Sequence, residues 1–154
     1  MKLQLRKINF EDKDVLFRWA NLRSVRKNSL TKKKISYENH IKWINKYLKN
    51  NSKNIAKLIC VQKEPIGLIR IDKKNKDLFI SYLIAPKFRK KGYATKAMRL
   101  FIKSFKKKKL VAIVKNENKA SIKIFNNLSF KLILKTPKYH KFIYMFNNKK
   151  LKFN

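Results

Sequence analysis

Two apolar runs, residues 78–84 and 110–114, enclose a single segment with helical periodicity, residues 93–107. The apolar face of that segment is formed by Ala94, Ala97, Met98, Phe101, Ile102 and Phe105. Nearly continuous apolar runs are typical of strands that are buried on both faces of a sheet. A helix that joins two strands of one sheet forms a crossover, so we predict parallel strands and a right-handed connection. This strand-helix-strand unit predicts an α/β fold.

The segments around this unit complete a mixed sheet. Asn9 and Ser36 can each cap a helix in the N-terminal part, where apolar residues recur at helical spacing. Further strands are predicted at residues 3–8, 55–62, 66–71, 130–135 and 140–147, and the last helix at residues 119–127. The order is β-α-α-β-β-β-α-β-α-β-β, with an antiparallel meander in the front half. We expect one domain over residues 1–154, with flanking helices and a mixed central sheet of about six to seven strands.

The net charge of +34 arises from 42 basic and 8 acidic residues. One interpretation is a polyanionic partner, such as RNA or a phosphate-rich ligand. The other is compositional drift on a solvated surface. Only 7 of the basic residues are Arg, the lysines are spread over the whole length, and recognition through a planar fork favours Arg. We favour the second interpretation and expect no specific nucleic-acid partner.

The only cysteine, Cys60, lies in an apolar run at residues 58–61. A buried thiol is the expected state, and one cysteine excludes an internal disulfide framework or a multi-cysteine metal site. No acidic pair or cluster of histidine, cysteine and aspartate has metal-ligand spacing, so we predict no metal. No apolar run is long enough to cross a membrane, and the N-terminus lacks a signal-peptide core. We therefore expect a cytoplasmic protein with no membrane partner.

A basic turn follows the central apolar strand, which ends at Pro86. Residues 89–94 read Arg-Lys-Lys-Gly-Tyr-Ala and lead directly into the predicted helix. A helix N-terminus offers unpaired N–H groups and a partial positive charge, and Gly92 allows close backbone approach or a positive φ. The spacing matches neither a P-loop nor a dinucleotide-binding fingerprint. The turn is thus a candidate phosphate site.

This turn resembles the R/Q-x-x-G-x-G/A motif of the GNAT N-acetyltransferases. Residues 80–86, Ile-Ser-Tyr-Leu-Ile-Ala-Pro, resemble the fourth strand of that family. Asn118 and Ser121, followed by Phe125 and Leu-Ser-Phe at 128–130, resemble its N-x-x-S…Y…L-G-F segment. The resemblance is strongest over residues 66–131, which it implies to be the acetyl-CoA-binding core. It implies an enzyme that transfers an acetyl group from acetyl-CoA to a primary amine.

The resemblance also implies roles for individual residues. Backbone groups of Leu83 and Ile84 would pair with the pantetheine arm, and an N–H near Leu83 would face the thioester oxygen. Asn118 would contact the pantetheine or fix the following helix, with Ser121 helping to cap it. The pyrophosphate would be held by backbone N–H groups of Arg89, Lys90, Lys91, Gly92, Tyr93, Ala94 and Thr95.

Two positions depart from the family pattern. Phe125 stands where many members have a tyrosine that protonates the departing thiolate, and Ser129 replaces the glycine of L-G-F. Another proton donor is then needed, such as water or one of three tyrosines. The amine must also lose a proton, so a base or a water chain is required. The candidate catalytic residues are Tyr82, His40 and Tyr144, with Tyr139 as a further donor.

Residues 1–60 are expected to bind the acceptor amine. Trp-Ala-Asn at 19–21 with Val-Arg at 25–26, and the segment 35–44 with its histidine, resemble two subgroups. One acetylates nucleotide-linked amino sugars, as in pseudaminic-type nonulosonic acid pathways, and the other acetylates ribosomal-protein N-termini. The first, with a UDP-linked 4-amino sugar as acceptor, is our leading hypothesis. Arg23, Arg26 and His40 are the candidate acceptor-binding residues.

Two alternatives remain open at this stage. The acceptor of the enzyme could be the N-terminus of a ribosomal protein. A different class is a basic RNA- or ribosome-binding module whose fold does not catalyse. The chain is expected to act as a monomer or a homodimer.

Overall fold

Seven strands form one mixed sheet with helices on both faces in the computed structural model, which describes residues 2–49, 52–106 and 109–146. The strands are β1 (Leu3–Lys7), β2 (Ile55–Val61), β3 (Glu64–Lys74), β4 (Asp77–Ile84), β5 (Lys109–Lys115), β6 (Lys131–Lys135) and β7 (Tyr139–Met145). The helices are α1 (Lys13–Asn21), α2 (Arg23–Asn28), α3 (Tyr37–Leu48), α4 (Tyr93–Ser104) and α5 (Lys119–Asn127). The order across the sheet is β1-β2-β3-β4-β5-β7-β6. The predicted α/β class with flanking helices is confirmed.

The N-terminal helical region is divided more finely than the sequence predicts. A 3-10 turn, Phe10–Asp12, precedes α1, and Leu22 with ψ 135° separates α1 from α2. The Asp12 carboxylate accepts from the Asn9 N–H at 2.8 Å and from two guanidinium nitrogens of Arg6. These bonds close the first turn in the manner of a capping box.

Each face of the sheet carries its own hydrophobic cluster. On one face, α4 and α5 contribute to a cluster around the fully buried Phe101 and Phe142. On the other face, α1 and α3 pack through Leu16 and Ile44 onto β2 and β3. Cys60 belongs to the second cluster and is 2% exposed, which confirms the predicted buried thiol.

The central strands β4 and β5 are parallel, as the crossover predicts, but they are paired over a short distance. In the described part of the chain their ladder consists of Phe79 opposite Val111. β4 continues to Ile84 with an antiparallel β3 along its other side. The C-terminal half of β4 therefore has one open edge in the middle of the sheet.

The C-terminal strands β6 and β7 differ in burial, and β7 corrects one expectation. His140 stands between lysines in the sequence, which predicts a surface position, but it is 8% exposed, and its Nδ1 lies 2.7 Å from the Asn116 Oδ1. Residues of β7 alternate between faces, so His140 shares the buried face with Phe142 and Tyr144. The edge strand β6 is exposed along its whole length, including three consecutive apolar residues at 132–134.

Candidate active site

The turn after β4 is held to the end of that strand by one side chain. The Arg89 Nε donates to the Ile84 carbonyl at 2.9 Å, and the Arg89 N–H donates to the Pro86 carbonyl. Lys90 and Gly92 both have positive φ, at 60° and 75°. The chain thus turns sharply before α4 begins at Tyr93. The predicted strand-turn-helix arrangement is present.

The start of α4 is open on the side of Gly92. Among the residues that the structure describes, none beyond the two chain neighbours of Gly92 lies within 4 Å of a Cβ built there, and no side chain caps this helix end. The first helical bond of the turn runs from the Lys96 N–H to the Gly92 carbonyl, so the N–H groups of Tyr93, Ala94 and Thr95 precede any helical acceptor. These features fit a pyrophosphate, whose charge matches the helix dipole.

The backbone of β4 alternates between β3 and the open edge. The Ala85 N–H donates to the Ile66 carbonyl at 2.9 Å, on the β3 side. A Cβ at Gly67 would lie 2.3 Å from the Leu83 carbonyl oxygen, so that oxygen also faces β3. Gly67 is therefore required for the close approach of the two backbones.

The same alternation directs the backbone groups of Tyr82 and Ile84 away from β3. The Ile84 carbonyl accepts from Arg89, on the open side, which agrees with this direction. Leu83, whose backbone was expected to pair with the pantetheine arm, instead pairs with Leu68 of β3. Tyr82 and Ile84 are thus the positions whose N–H groups face the gap between β4 and β5.

Helix α5 lies next to the gap between β4 and β5, on the face of the sheet that does not carry α1 and α3. The Asn118 side chain accepts from the Ser121 N–H at 3.2 Å and so fixes the start of α5, one of its two expected roles. The Ser121 Oγ lies 2.7 Å from the Tyr82 hydroxyl. The Phe125 ring is 6.1 Å from the Tyr82 ring and is itself buried among aromatic side chains. A hydroxyl pair therefore occupies the space beside the phenylalanine that departs from the family pattern.

A cavity of about 520 Å³ lies between helices α1 to α3 and strands β3 and β4, and it reaches α5. Its lining joins residues from both faces of the sheet. Tyr82, Asn118 and Ser121 lie toward α5, while Arg26 and His40 line the other side. The gap between β4 and β5 thus connects the two faces.

His40 lies at the wall of this cavity and is 2% exposed. Its Nε2 is 2.7 Å from the Lys13 carbonyl oxygen. A carbonyl can only accept, so Nε2 carries a proton and Nδ1 is the acceptor atom of the neutral ring. Burial lowers the pKa of His40, and its ring stacks on Trp43 at 5.6 Å. The sequence left two roles open for His40, and the structure places it both at the core edge and on the cavity.

The two arginines predicted to bind the acceptor differ in position. Arg23 is exposed and does not line the cavity. Arg26 lines it, but four of its N–H groups donate within the chain, to Ala20, Thr31, Lys33 and Ser29. A guanidinium has five such donors. Arg26 therefore fixes the segment between α2 and α3 and has little capacity left for a ligand.

Tyr144, a candidate proton donor, lies outside the cavity lining. It is 2% exposed and packs between Phe130 and Phe146, with ring centroids 5.2 and 4.9 Å away. Its position on β7 turns its side chain into the cluster beneath α4 and α5. Tyr139 also does not line the cavity. Of the tyrosines considered, Tyr82 alone lines it.

Sequence reasoning missed the charged residues that β3 contributes. Arg70 and Asp72 line the cavity together with Trp43 and Ser81. Arg70 and Asp72 are two residues apart on one strand, so they share a face. The alternation of polar and apolar residues from Arg70 to Asp72 is the signal that could have placed both at the surface facing α3.

Within residues 2–49, 52–106 and 109–146, no group of three histidine, cysteine, aspartate or glutamate side chains is arranged to hold a metal ion. None of the helices in the same ranges is long and apolar enough to cross a membrane.

Comparison with solved structures identifies the fold. A spermidine N-acetyltransferase from Vibrio cholerae, in complex with CoA and spermine, superposes with a TM-score of 0.79 at 19% identity, covering 93% of this chain and 95% of the other. A domain from Methanocaldococcus jannaschii gives a TM-score of 0.79 at 21% identity, with 94% and 99% covered. A ribosomal L7/L12 alpha-N-protein acetyltransferase in complex with coenzyme A gives 0.77 at 16%, with 94% of each chain covered.

Sequence comparison identifies the family. Residues 2–131 match the family model for the acetyltransferase (GNAT) domain. A search of curated protein sequences gives no match. The matched residues include β4, the turn at Gly92 and α5, which are the elements that build the site. The chain belongs to the GNAT acetyltransferase family and is an acetyl-CoA-dependent N-acetyltransferase.

Proposed function

We propose that this enzyme acetylates the primary amine of a UDP-linked 4-amino sugar. The observation that carries the proposal is the cavity of about 520 Å³ that opens onto β4 from the side of α1 to α3. Its volume lies in the range of small-molecule sites, about 300–1,000 Å³. Arg70 and Lys74 on its wall suit an anionic ligand, and Trp43 offers an aromatic surface. The segment 35–44, which supplies His40 and Trp43, is the one that resembles the amino-sugar subgroup.

The chain's own groups fit acetyl-CoA on the opposite side of the sheet. The open surface at Gly92 and the uncapped start of α4 would receive the pyrophosphate. The backbone groups of Tyr82 and Ile84 at the free edge of β4 would pair with the pantetheine arm as an added strand does. The bound thioester supplies the acetyl group. Leu83 was also expected to bind the cofactor, but its backbone pairs with β3, so we do not assign it this role.

The residues at the gap would then perform three tasks. The Tyr82 N–H would donate to the thioester oxygen as negative charge develops there. The His40 Nδ1, on the acceptor side, would take the proton of the amine directly or through water. The Tyr82 hydroxyl, bonded to Ser121 at 2.7 Å, would protonate the departing thiolate in place of the absent tyrosine at 125. Burial raises the Tyr82 pKa, so this hydroxyl holds its proton at neutral pH.

A protein N-terminus is the second candidate acceptor. The Trp-Ala-Asn and Val-Arg segments resemble the ribosomal-protein subgroup as well, and one structural neighbour acts on ribosomal L7/L12. A peptide carries a free α-amine but no phosphate groups, so it would not form phosphate contacts with the basic residues of the cavity wall. Parallel assays with acceptor peptides separate the two candidates.

The test measures free CoA after incubation with acetyl-CoA and a panel of UDP-linked amino sugars. A thiol reagent can report the product directly, because Cys60 is buried and burial raises its pKa. We expect CoA release that depends on the 4-amino sugar; no release across the panel would refute this acceptor. A rise in melting temperature with acetyl-CoA is expected in either case, because a ligand of the native state stabilises it. The absence of that rise would contradict the proposed acetyl-CoA site at the start of α4.

A further inference from the structure

Arg70 presents an unoccupied guanidinium fork to the cavity. Its Nε donates to the Ser81 Oγ at 2.8 Å and lies 3.4 Å from an Asp72 carboxylate oxygen. Its central carbon lies 5.8 Å from the Trp43 ring centroid. Neither terminal nitrogen donates a hydrogen bond to any residue that the structure describes. The group is thus fixed at one end and stacked on one face, while its two outer nitrogens remain available.

The charge around this fork is not balanced by the chain. Asp72 is the acidic residue of the cavity lining, and its carboxylate is already shared. It accepts from the Tyr47 hydroxyl and lies 3.5 Å from the Lys46 Nζ as well as close to Arg70. Arg26 and Lys74 add two further positive charges to the lining, so three basic side chains face one carboxylate.

The pKa of Arg26 is affected by the positive charge of Arg70. Burial, and then repulsion from Arg70, lowers the pKa of Arg26. An anion between the two guanidinium groups would relieve that repulsion and would pair with the outer nitrogens of Arg70 in a bidentate manner. A polyamine, by contrast, would bring further positive charge to the same wall.

The distance from Arg70 to the reacting edge sets the size of the ligand. Ser81, which holds the Arg70 Nε, precedes Leu83 by two residues on the same face of β4. Two residues of a strand span about 7 Å. The thioester would lie beside the edge at Tyr82, between Ser81 and Leu83, so the anionic group would lie within about 7 Å of the amine.

We infer that Arg70 binds an oxyanion, a phosphate or a carboxylate, carried by the acceptor within about 7 Å of the reacting amine. This inference rests on the proposed acetyl transfer but not on the UDP-linked sugar. It makes Arg70 a specificity-determining residue for anionic amines over neutral or polycationic ones. A phosphate and a carboxylate each offer two neighbouring oxygens that can accept parallel N–H bonds from the fork.

The experiment compares matched pairs of acceptors that differ only in the anion. One arm uses an amino-sugar phosphate and the same neutral amino sugar, and the other uses a dipeptide and its C-terminal amide. In the wild type we expect kcat/KM for the anionic member to be at least about tenfold higher in one arm, which identifies the source of the oxyanion. In Arg70→Gln we expect that preference to fall to about one, through KM.

Two further variants control for charge and geometry. Arg18→Gln removes one arginine from an exposed position outside the cavity and should keep the preference. Arg70→Lys keeps the charge without the fork and should give an intermediate ratio. Equal kcat/KM for both members in the wild type, or a preference that survives Arg70→Gln, would overturn the inference.

A binding measurement keeps the inference testable if none of these amines is acetylated. With CoA at saturation, so that the α4 site is filled, inorganic phosphate should raise the melting temperature of the wild type and of Arg18→Gln. The same concentration should leave the melting temperature of Arg70→Gln unchanged. Equal shifts in all three proteins would contradict a phosphate site at Arg70. Failure of acetylation with a shift that depends on Arg70 would refute the proposed acceptor alone.

Discussion

The Tyr82 hydroxyl and the Ser121 Oγ lie 2.7 Å apart, one on β4 and the other on the first turn of α5. The bond spans the gap that β4 and β5 leave between them. Phe125, one turn further along α5, supplies the buried ring against which Tyr82 rests. The strand thus provides a phenolic hydroxyl beside position 125, where the helix has phenylalanine.

Replacing Tyr82 by phenylalanine should therefore lower kcat by about 100-fold, the lower range of general acid catalysis. The KM for acetyl-CoA should change little, because the backbone N–H of residue 82 is retained. The double variant Tyr82→Phe with Phe125→Tyr should recover part of the loss by returning a hydroxyl to α5. Steady-state kinetics at several pH values give the measurement. An unchanged kcat in Tyr82→Phe would exclude this hydroxyl as the proton donor.

Substitution of Gly92 by glutamate should abolish acetyl-CoA binding while the fold is retained. The side chain would place bulk and negative charge on the open surface where the pyrophosphate is proposed to bind. Gly92→Ala is the matched control, since it has the same positive φ and its Cβ meets nothing within 4 Å. The left-handed conformation should cost both variants about 1–2 kcal/mol of stability. Calorimetric titration with CoA distinguishes them, and binding by Gly92→Glu would show that the phosphate site is misplaced.

Substitution of Gly67 by alanine should destabilise the protein and disturb the reacting edge together. The new methyl group would lie 2.3 Å from the Leu83 carbonyl oxygen, which is backbone and cannot move alone. We expect a loss of about 1–3 kcal/mol in the free energy of unfolding, as for other overpacked sites. Chemical denaturation measures it. A variant as stable as the wild type would mean that β3 and β4 are further apart than described.

His40 should make stability depend on pH below its ordinary pKa of 6.5. Burial favours the neutral ring in the folded state and lowers its pKa, so the unfolded chain binds the proton first as pH falls. Stability is then full above about pH 6.5 and declines as pH falls toward the lower folded pKa. His40→Gln, which keeps a donor for the Lys13 carbonyl, should flatten this decline. Unfolding free energies between pH 5 and 8 provide the test, and an equal slope in both proteins would contradict it.

The parts of the fold that could be predicted are those whose signals lie in residues adjacent in the sequence. The apolar strand that ends at Pro86 and the helix beginning at Tyr93 were placed because periodicity and caps reside in neighbouring residues. The break at Leu22 was missed, since both halves around it keep helical spacing and the interruption depends on a single ψ of 135°. The burial of His140 was missed because the adjacent Lys141 is on the opposite face of β7, and Lys138 lies before the strand begins.

The site was predictable only in part for a similar reason. Residues 89–95 follow one another in sequence, so one motif reveals the turn. Arg70 and Ser81 lie eleven residues apart and meet only through the register of β3 and β4. The direction of the Leu83 backbone likewise depends on which residue of β3 it faces. Pairing register is a property of the folded sheet, and no motif contains it.

The exposed edge strand β6 has a practical consequence for handling the protein. Lys131 and Lys135 flank its three apolar residues, and charged flanks oppose the edge-to-edge pairing that such a strand would otherwise invite. That protection is electrostatic, and its range shrinks from about 10 Å at 0.1 M salt to about 3 Å at 1 M. Concentrated salt, which suppresses unwanted contact with nucleic acid during purification, therefore also removes the barrier to precipitation.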